Sequence, residues 1–141
     1  MRFVITTQPA DPTKTSDTPP DMDVIAAYFK FNEDMQKAGV LIASEGLVPG
    51  APGARVAVAG GKRRVLDGPF AESKELVGGF YVIEVPSLEE AKRWALRCPV
   101  GLGSDDILEI RQLTGSADVP AEVLELAARV APTWASTFLK T

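Results

Sequence analysis

Histidine is absent from this chain of 141 residues, and cysteine occurs only once, at Cys98. Without histidine, the chain cannot form a Ser-His-Asp or Cys-His nucleophile system or a zinc site built on imidazole. Phosphate-binding loops of the GxxxxGK(S/T) and GxGxxG types are missing as well. Any metal would have to be a hard ion, such as Mg²⁺, held by oxygens. We therefore predict no organic cofactor and no metal site.

Long apolar runs are absent too, since none approaches the roughly 20 residues that a membrane-spanning helix needs. The first residues, MRFVITTQ, lack the apolar core and small-residue cleavage site of a secretory signal. A net charge of −4 disfavours nucleic acid and anionic membranes as partners, and a single cysteine suits a reducing compartment. The length allows one domain, and 45% apolar residues are typical of a globular protein. We predict a cytoplasmic protein with neither a nucleic-acid nor a membrane partner.

Apolar and β-branched residues alternate or run together in six segments that predict strands. These segments are 2–7, 40–47, 54–59, 62–66, 78–85 and 106–113. Gly60 and Gly61 predict a hairpin turn between the third and fourth. Helical spacing of apolar residues predicts a first helix from the N-cap Asp21 to Gly39. A second helix is predicted to open at a capping box of Ser87 and Glu90.

The second helix is predicted to bury Leu88, Ala91, Trp94 and Ala95 and to end at Pro99. Further helices are predicted at 119–131 and 133–140. This order of elements predicts an α+β sandwich of ferredoxin-like type, with both main helices on one face of the sheet.

The strand at 78–85 carries apolar side chains in both parities. Phe80 and Val82 point to one face, while Tyr81, Ile83 and Val85 point to the other. A bare apolar sheet face of this size would be an exposed patch that monomers seldom tolerate. We therefore predict a homodimer in which a second copy covers that face.

Residues 66–79, LDGPFAESKELVGG, form the most distinctive stretch of the chain. This stretch resembles the signature of the DGPF-domain family within the YCII-related proteins. The similarity continues through AGVLIASEGL, GGFYVIEVPSLEEAKRWALRCP and ILEIRQL, so it covers about residues 1–113. The resemblance implies a dimeric α/β barrel, in which the sheets of two ferredoxin-like units face each other. Residues 114–141 then form a C-terminal helical extension of the same domain.

The resemblance implies less about function, because YCII-related proteins are mostly uncharacterised. Some are thought to be enzymes that use a histidine on the first helix and an aspartate near the end of the second. The matching positions here are Tyr28 and Cys98, so the chemistry of that pair does not carry over. DGPF-domain proteins are also often encoded beside extracytoplasmic-function sigma factors, which implies a regulatory setting.

Asp67 is the candidate catalytic residue. Its carboxylate could cap the D-G-P-F turn, or it could face a cleft as a general acid or base, and the two roles are compatible. Glu45 interrupts an apolar strand, which is costly unless the carboxylate is paired or lies in a wetted pocket. It could pair with Arg111 or Arg2, or it could join Asp67 in acid-base work or in holding Mg²⁺.

Tyr28, Phe70 and Lys74 complete the candidate ligand-binding set with Glu45. Tyr28 has the position that the resemblance assigns to a pocket, and Lys74 could pair with Asp67 or bind an anionic ligand. Cys98 is predicted to be an inert buried thiol. The basic residues Lys62, Arg63 and Arg64 are predicted to be solvated, because no aromatic platform accompanies them.

Two functions remain open from the sequence. The first is an enzyme that acts on a small metabolite by proton transfer without a cofactor, with Asp67 as the acid-base group. The second is a non-catalytic regulatory or interaction protein, in which the same motif is structural and the helical extension binds a partner or clasps the dimer.

Overall fold

The computed structural model describes residues 1–8, 21–48, 53–68, 77–99 and 107–141. Every predicted strand and helix forms, with ends that differ from the predicted ends by no more than three residues. The strands are β1 (Arg2–Gln8), β2 (Leu41–Gly46), β3 (Ala54–Ala59), β4 (Lys62–Asp67), β5 (Gly79–Glu84) and β6 (Ile107–Gln112). The helices are α1 (Met22–Lys37), α2 (Leu88–Leu96), α3 (Ala121–Val130) and α4 (Pro132–Phe138), and a short 3-10 turn precedes α3.

Four strands form an antiparallel sheet in the order β2-β5-β1-β6, while β3 and β4 form a separate two-stranded hairpin. In the register of this sheet, Ile5 faces Tyr81 on one side and Ile110 on the other. This strand order is consistent with the predicted ferredoxin-like α+β sandwich, with the β3–β4 hairpin inserted between β2 and β5.

The core lies on the face of the sheet that α1 and α2 cover. Its members are Phe3, Ile5, Phe31, Met35, Tyr81, Ile83, Val85, Ala91, Trp94, Ala95 and Cys98. Burying each large apolar side chain contributes roughly 1.5–3 kcal/mol to the free energy of unfolding. Leu88 was expected in this core but is 43% exposed. It begins the first turn of α2, where the helix has not yet reached the sheet side that Ala91 and Trp94 occupy.

The opposite, open face of the sheet carries the other parity of strand residues. Val4, Thr6, Phe80 and Val82 are half-buried there, and the core cluster contains no residue of α3 or α4. Phe80 and Tyr81 therefore point to opposite faces of one strand, as the alternation predicts.

Both main helices begin at side-chain caps. The Asp21 carboxylate accepts hydrogen bonds from the backbone N–H groups of Asp23 (3.0 Å) and Val24 (3.4 Å). Ser87 Oγ accepts from the backbone N–H of Glu90 at 3.2 Å. Only this half of the predicted capping box forms, since the Glu90 carboxylate instead accepts from Arg93 at 2.8 Å.

The β3–β4 hairpin turns at Gly60 and Gly61, whose φ angles are +59° and +75°. Two consecutive positive φ angles are those of a type I′ turn, which glycine adopts without steric cost. The predicted glycine turn is thus confirmed. Every residue of β4 is exposed, and β3 is exposed except for the half-buried Ala57.

The C-terminal extension consists of α3 and α4, which pack on each other. Trp134 and Phe138 stack with ring centroids 5.0 Å apart, yet Trp134 stays 58% exposed. Within the described ranges, none of the helices combines the length and apolar character that a bilayer crossing requires.

Candidate functional site

A cleft opens on the helix side of the sheet, where β1, β2 and β5 come together near the first half of α1. Its volume is about 200 Å³. Among the described residues, its lining is Thr7, Tyr28, Ser44, Glu45, Gly46, Gly78, Gly79, Phe80 and Tyr81. The cleft also lies where the chain leaves the sheet for the β3–β4 hairpin and returns, since Leu47 N donates to Gly78 O at 2.9 Å.

Gly79 is packed closely in this cleft. A Cβ atom at this position would lie 2.8 Å from the backbone oxygen of Glu45 and 3.6 Å from Thr7 Oγ1. Only a residue without a side chain therefore lets β5 lie this close to β2. The neighbouring Gly46 has nothing within 4 Å of such a Cβ atom.

Several residues that carry hydroxyl groups line the helix side of the cleft. Ser44 pairs with Tyr81 across β2 and β5, so the two share the core-facing side with Tyr28. Thr7 Oγ1 donates to Gly79 O at 3.2 Å, which leaves its lone pairs able to accept a hydrogen bond.

Burial raises the pKa of the Tyr81 phenol well above its ordinary value, and the adjacent Cys98 and Tyr28 raise it further. Tyr81 also shares a hydrogen bond with Cys98. Its ring packs edge-on against the ring of Phe31, with the ring centroids 5.5 Å apart. The phenol therefore stays protonated at neutral pH, where it takes part in hydrogen bonds and cannot act as a base.

Glu45 lines the cleft, but its side chain leaves the sheet on the open face, because its cross-strand neighbour is Phe80. The predicted structural pairing with Arg111 or Arg2 is wrong. Arg111 Nε lies 4.0 Å from Glu109, and Arg2 Nη2 donates to Thr114 O at 3.0 Å. β2 and β6 are opposite edges of the sheet, which keeps Glu45 and Arg111 apart.

Asp67 ends β4 at the base of the hairpin, opposite Ala54, and is exposed. Just beyond it, Gly68 N donates to Gly53 O at 2.6 Å and closes the base of the hairpin. Asp67 is not among the described residues that line the cleft, whereas Glu45 is. Phe70 and Lys74 lie outside the described residues.

A family model for the YCII-related domain matches residues 1–114. The chain belongs to the YCII-related family. It is also similar to an uncharacterised protein of Rhizobium meliloti (strain 1021), with 37% identity over 91 residues that cover 64% of this chain and 70% of the relative. The α3–α4 extension lies beyond the match to the YCII-related domain.

Tyr28 and Cys98 are the two positions of this YCII-related domain that the resemblance aligned with a His-Asp pair. Both residues lie near the Tyr81 phenol, and both raise its pKa. Cys98 is buried, as predicted. At these two positions the structure has a phenol and a thiol that lie beside the Tyr81 phenol.

Tyr28 and Glu45 are the predicted site residues that the cleft brings together. Thr7, Ser44, Gly79 and Tyr81 also line the cleft, and none of them was predicted as a site residue. A usable signal was present, since Thr7 and Ser44 are hydroxyl residues near the ends of apolar strands. Their convergence needed the sheet order, because β1 and β2 are separated by β5.

Proposed function

We propose that this protein is a homodimer that binds a small polar metabolite in the cleft of Thr7, Tyr28, Ser44 and Tyr81. The observation that carries this proposal is that four hydroxyl-bearing residues line one opening. Ligand sites commonly combine a concave shape with a few convergent polar groups. The volume of about 200 Å³ lies below the roughly 300–1,000 Å³ of drug-sized pockets, which favours a small metabolite.

Asp67 is the group that we propose for proton transfer to or from the bound metabolite, without an organic cofactor. Its support is its position in the chain, since Asp67 opens the D-G-P-F stretch and lies eleven residues before Gly78, which lines the cleft. Tyr81 is held protonated by its raised pKa, so a carboxylate is the more suitable base. Tyr28, Phe70 and Lys74 would bind and orient the ligand with their side chains, whereas Glu45, whose side chain is on the open face, would contribute its backbone at the edge of the cleft.

A thermal-shift screen of the purified protein against a panel of metabolites tests the binding part of the proposal. A ligand at 100 times its dissociation constant adds about 2.7 kcal/mol to the free energy of unfolding. We expect a stabilising ligand whose effect is lost in Tyr28→Phe and kept in the control Glu122→Gln, an exposed carboxylate of α3. A ligand that stabilises Tyr28→Phe equally would place binding elsewhere.

The Asp67→Asn variant separates catalysis from binding. We expect it to keep the ligand-induced shift and to lose turnover of that ligand by about 10²–10⁴-fold, the range of general acid-base catalysis. An unfolded Asp67→Asn protein would instead show that the D-G-P-F turn is mainly structural.

A second candidate is a non-catalytic regulatory protein in the setting that the resemblance implies, beside an extracytoplasmic-function sigma factor. It is favoured by the exposed apolar residues of the extension, such as Val130 and Trp134, which are 68% and 58% exposed. No stabilising ligand in a broad panel, together with capture of the sigma factor by the purified protein, would support this alternative over the first.

The homodimer that we propose forms through the open face of the sheet, as in a dimeric α/β barrel, in the cytoplasm. Its support is the half-buried apolar row that includes Val4, Phe80 and Val82, because an apolar sheet face needs a cover. Sedimentation velocity should give a dimer for the wild type and a monomer for Val82→Glu. The control Leu96→Glu, at an apolar residue 87% exposed on α2, should remain dimeric.

A further inference from the structure

The β3–β4 hairpin, residues 54–67, is an arm whose surface the other described residues leave open. Val56, Val58 and Val65 are 69%, 70% and 64% exposed. Among the described elements, β3 and β4 pack mainly against each other. An isolated two-stranded hairpin is marginally stable in water. The arm therefore needs a cover that the described part of its own chain does not provide.

The register of the arm gives it two chemically different faces. Val56 pairs with Val65, so these residues and Val58 project from one face. Arg64 and Lys62 pair with Ala57 and Ala59 on the other face, whereas Arg63 pairs with Val58 and shares the valine face. One face thus combines β-branched apolar area with a single cation, and the other face carries most of the positive charge.

Charge is strongly segregated between the arm and the body, by which we mean all residues outside 54–67. The arm holds Arg55, Lys62, Arg63, Arg64 and Asp67, a net charge of +3. Since the whole chain carries −4, the body carries −7. A cationic arm and an anionic body attract each other, and opposite potentials on two surfaces speed their encounter and select the partner.

We propose that the arm docks on the body of a second copy of this chain, so that each subunit of the homodimer clasps the other. This inference rests on the homodimer proposed above and adds a second contact to it. A second copy fits because its body carries the opposite charge and is present at equal concentration. The three valines favour a protein surface over nucleic acid, which would use the cations but leave the apolar face bare.

The test measures the dimer dissociation constant of the full chain by sedimentation equilibrium at 50 and 500 mM NaCl. Salt screens attraction between exposed charges, so we expect the wild-type constant to rise roughly tenfold between these concentrations. Lys62→Gln with Arg64→Gln should weaken the dimer about fivefold at 50 mM NaCl and reduce the salt dependence. The control pair Lys92→Gln with Arg93→Gln on α2 changes the net charge equally and should shift the constant less than about twofold.

The apolar face is tested by replacing Val56, Val58 and Val65 together with Thr. Threonine keeps the β-branched shape that favours a strand but has a hydroxyl group in place of one methyl group of valine. We expect this variant to weaken the dimer by about tenfold or more, because apolar burial drives association. Far-ultraviolet circular dichroism checks the fold, and should the threonine arm unfold, the glutamine pair still decides.

If both arm variants have dissociation constants within twofold of the wild type, the proposal that the arm docks on the second copy is overturned. This holds even if Val82→Glu makes the protein monomeric. In that case the sheet-face dimer would stand alone. A wild-type protein that is monomeric at every concentration would overturn both proposals.

Discussion

Gly79 is the residue at which the geometry of the cleft is most sensitive to substitution. In Gly79→Ala, the new Cβ atom would lie 2.8 Å from Glu45 O, so β2 and β5 must separate. We expect a loss of about 1–3 kcal/mol in the free energy of unfolding, as for other overpacked sites. Urea titration measures it.

Gly46→Ala is the matched control, because this glycine also lines the cleft but has nothing within 4 Å of the added atom. Its free energy of unfolding should stay within about 1 kcal/mol of the wild type. Equal losses in the two variants would contradict the close approach at Gly79.

Asp34 links the ends of the two main helices and should make stability depend on pH. Its pKa is lowered by a hydrogen bond from Lys30, with further contributions from Arg97, whose Nη2 lies 2.9 Å from its carboxylate. A lowered folded-state pKa stabilises the folded protein above the ordinary carboxyl value of 3.8. This contribution is lost as the pH falls through the lowered value.

Asp34→Asn should therefore be less stable than the wild type at pH 7, and the difference should shrink below pH 4. Urea titrations of both proteins from pH 7 to pH 2.5 measure this difference. Glu84→Gln, at an exposed strand carboxylate, controls for the general effect of removing a negative charge. A difference that stays constant across this range would argue against the ion pairs of Asp34.

At the scale of elements, the cap of α2 gives a prediction with a built-in rescue. Ser87→Ala removes the acceptor for the backbone N–H of Glu90 and should cost about 1 kcal/mol of stability. Ser87→Asp keeps an acceptor and adds a charge that suits a helix N-terminus, so it should unfold near the wild-type midpoint. Thermal melts compare the three proteins. Equal losses in both variants would show that backbone geometry, not the side-chain oxygen, sets the start of α2.

The elements themselves could be predicted because their signals are local. Gly60 and Gly61 specify the hairpin turn by their positive φ angles, and Asp21 marks the start of α1 through its own side chain. The predicted burial of Leu88 was wrong, because apolar spacing indicates a helix face but does not show at which turn that face reaches the sheet. The predicted capping role of the Glu90 side chain was wrong, because Arg93, one turn along the helix, donates to its carboxylate instead.

The site was harder to predict because it is made of distant segments. Thr7, Ser44 and Tyr81 meet only through the sheet order, which places β5 between β1 and β2. Glu45 shows the same limit, since its parity depends on the register shift in β2 between Leu41 and Ala43. Such an irregularity reverses the face that a side chain occupies and leaves no clear trace in the residue pattern.

At the scale of the whole molecule, the extension should be dispensable for folding. The match to the YCII-related domain ends at residue 114, and the core cluster draws on no residue of α3 or α4. A chain ending at residue 113 should lose less than about 1 kcal/mol, a fall of about 4–8 °C in midpoint at most. Thermal melts with sedimentation velocity measure stability and size together. A truncated chain that does not fold would give the extension a structural role, and one that folds as a monomer would make it a clasp of the dimer.

The strand order also bears on how the chain is made. β1 is synthesised first, yet it lies between β5 and β6 in the sheet, and about 70 residues separate its end from the start of β5. At roughly 5–20 residues per second, a ribosome needs roughly 4–14 s to add them. Throughout that interval β1 has no neighbouring strand of the sheet, and α1 is the one main helix that has been made, so the nascent chain presents an apolar, unpaired strand. We therefore expect chaperones to engage β1, and chains that stop before β5 to aggregate, because an earlier strand lies between two later ones.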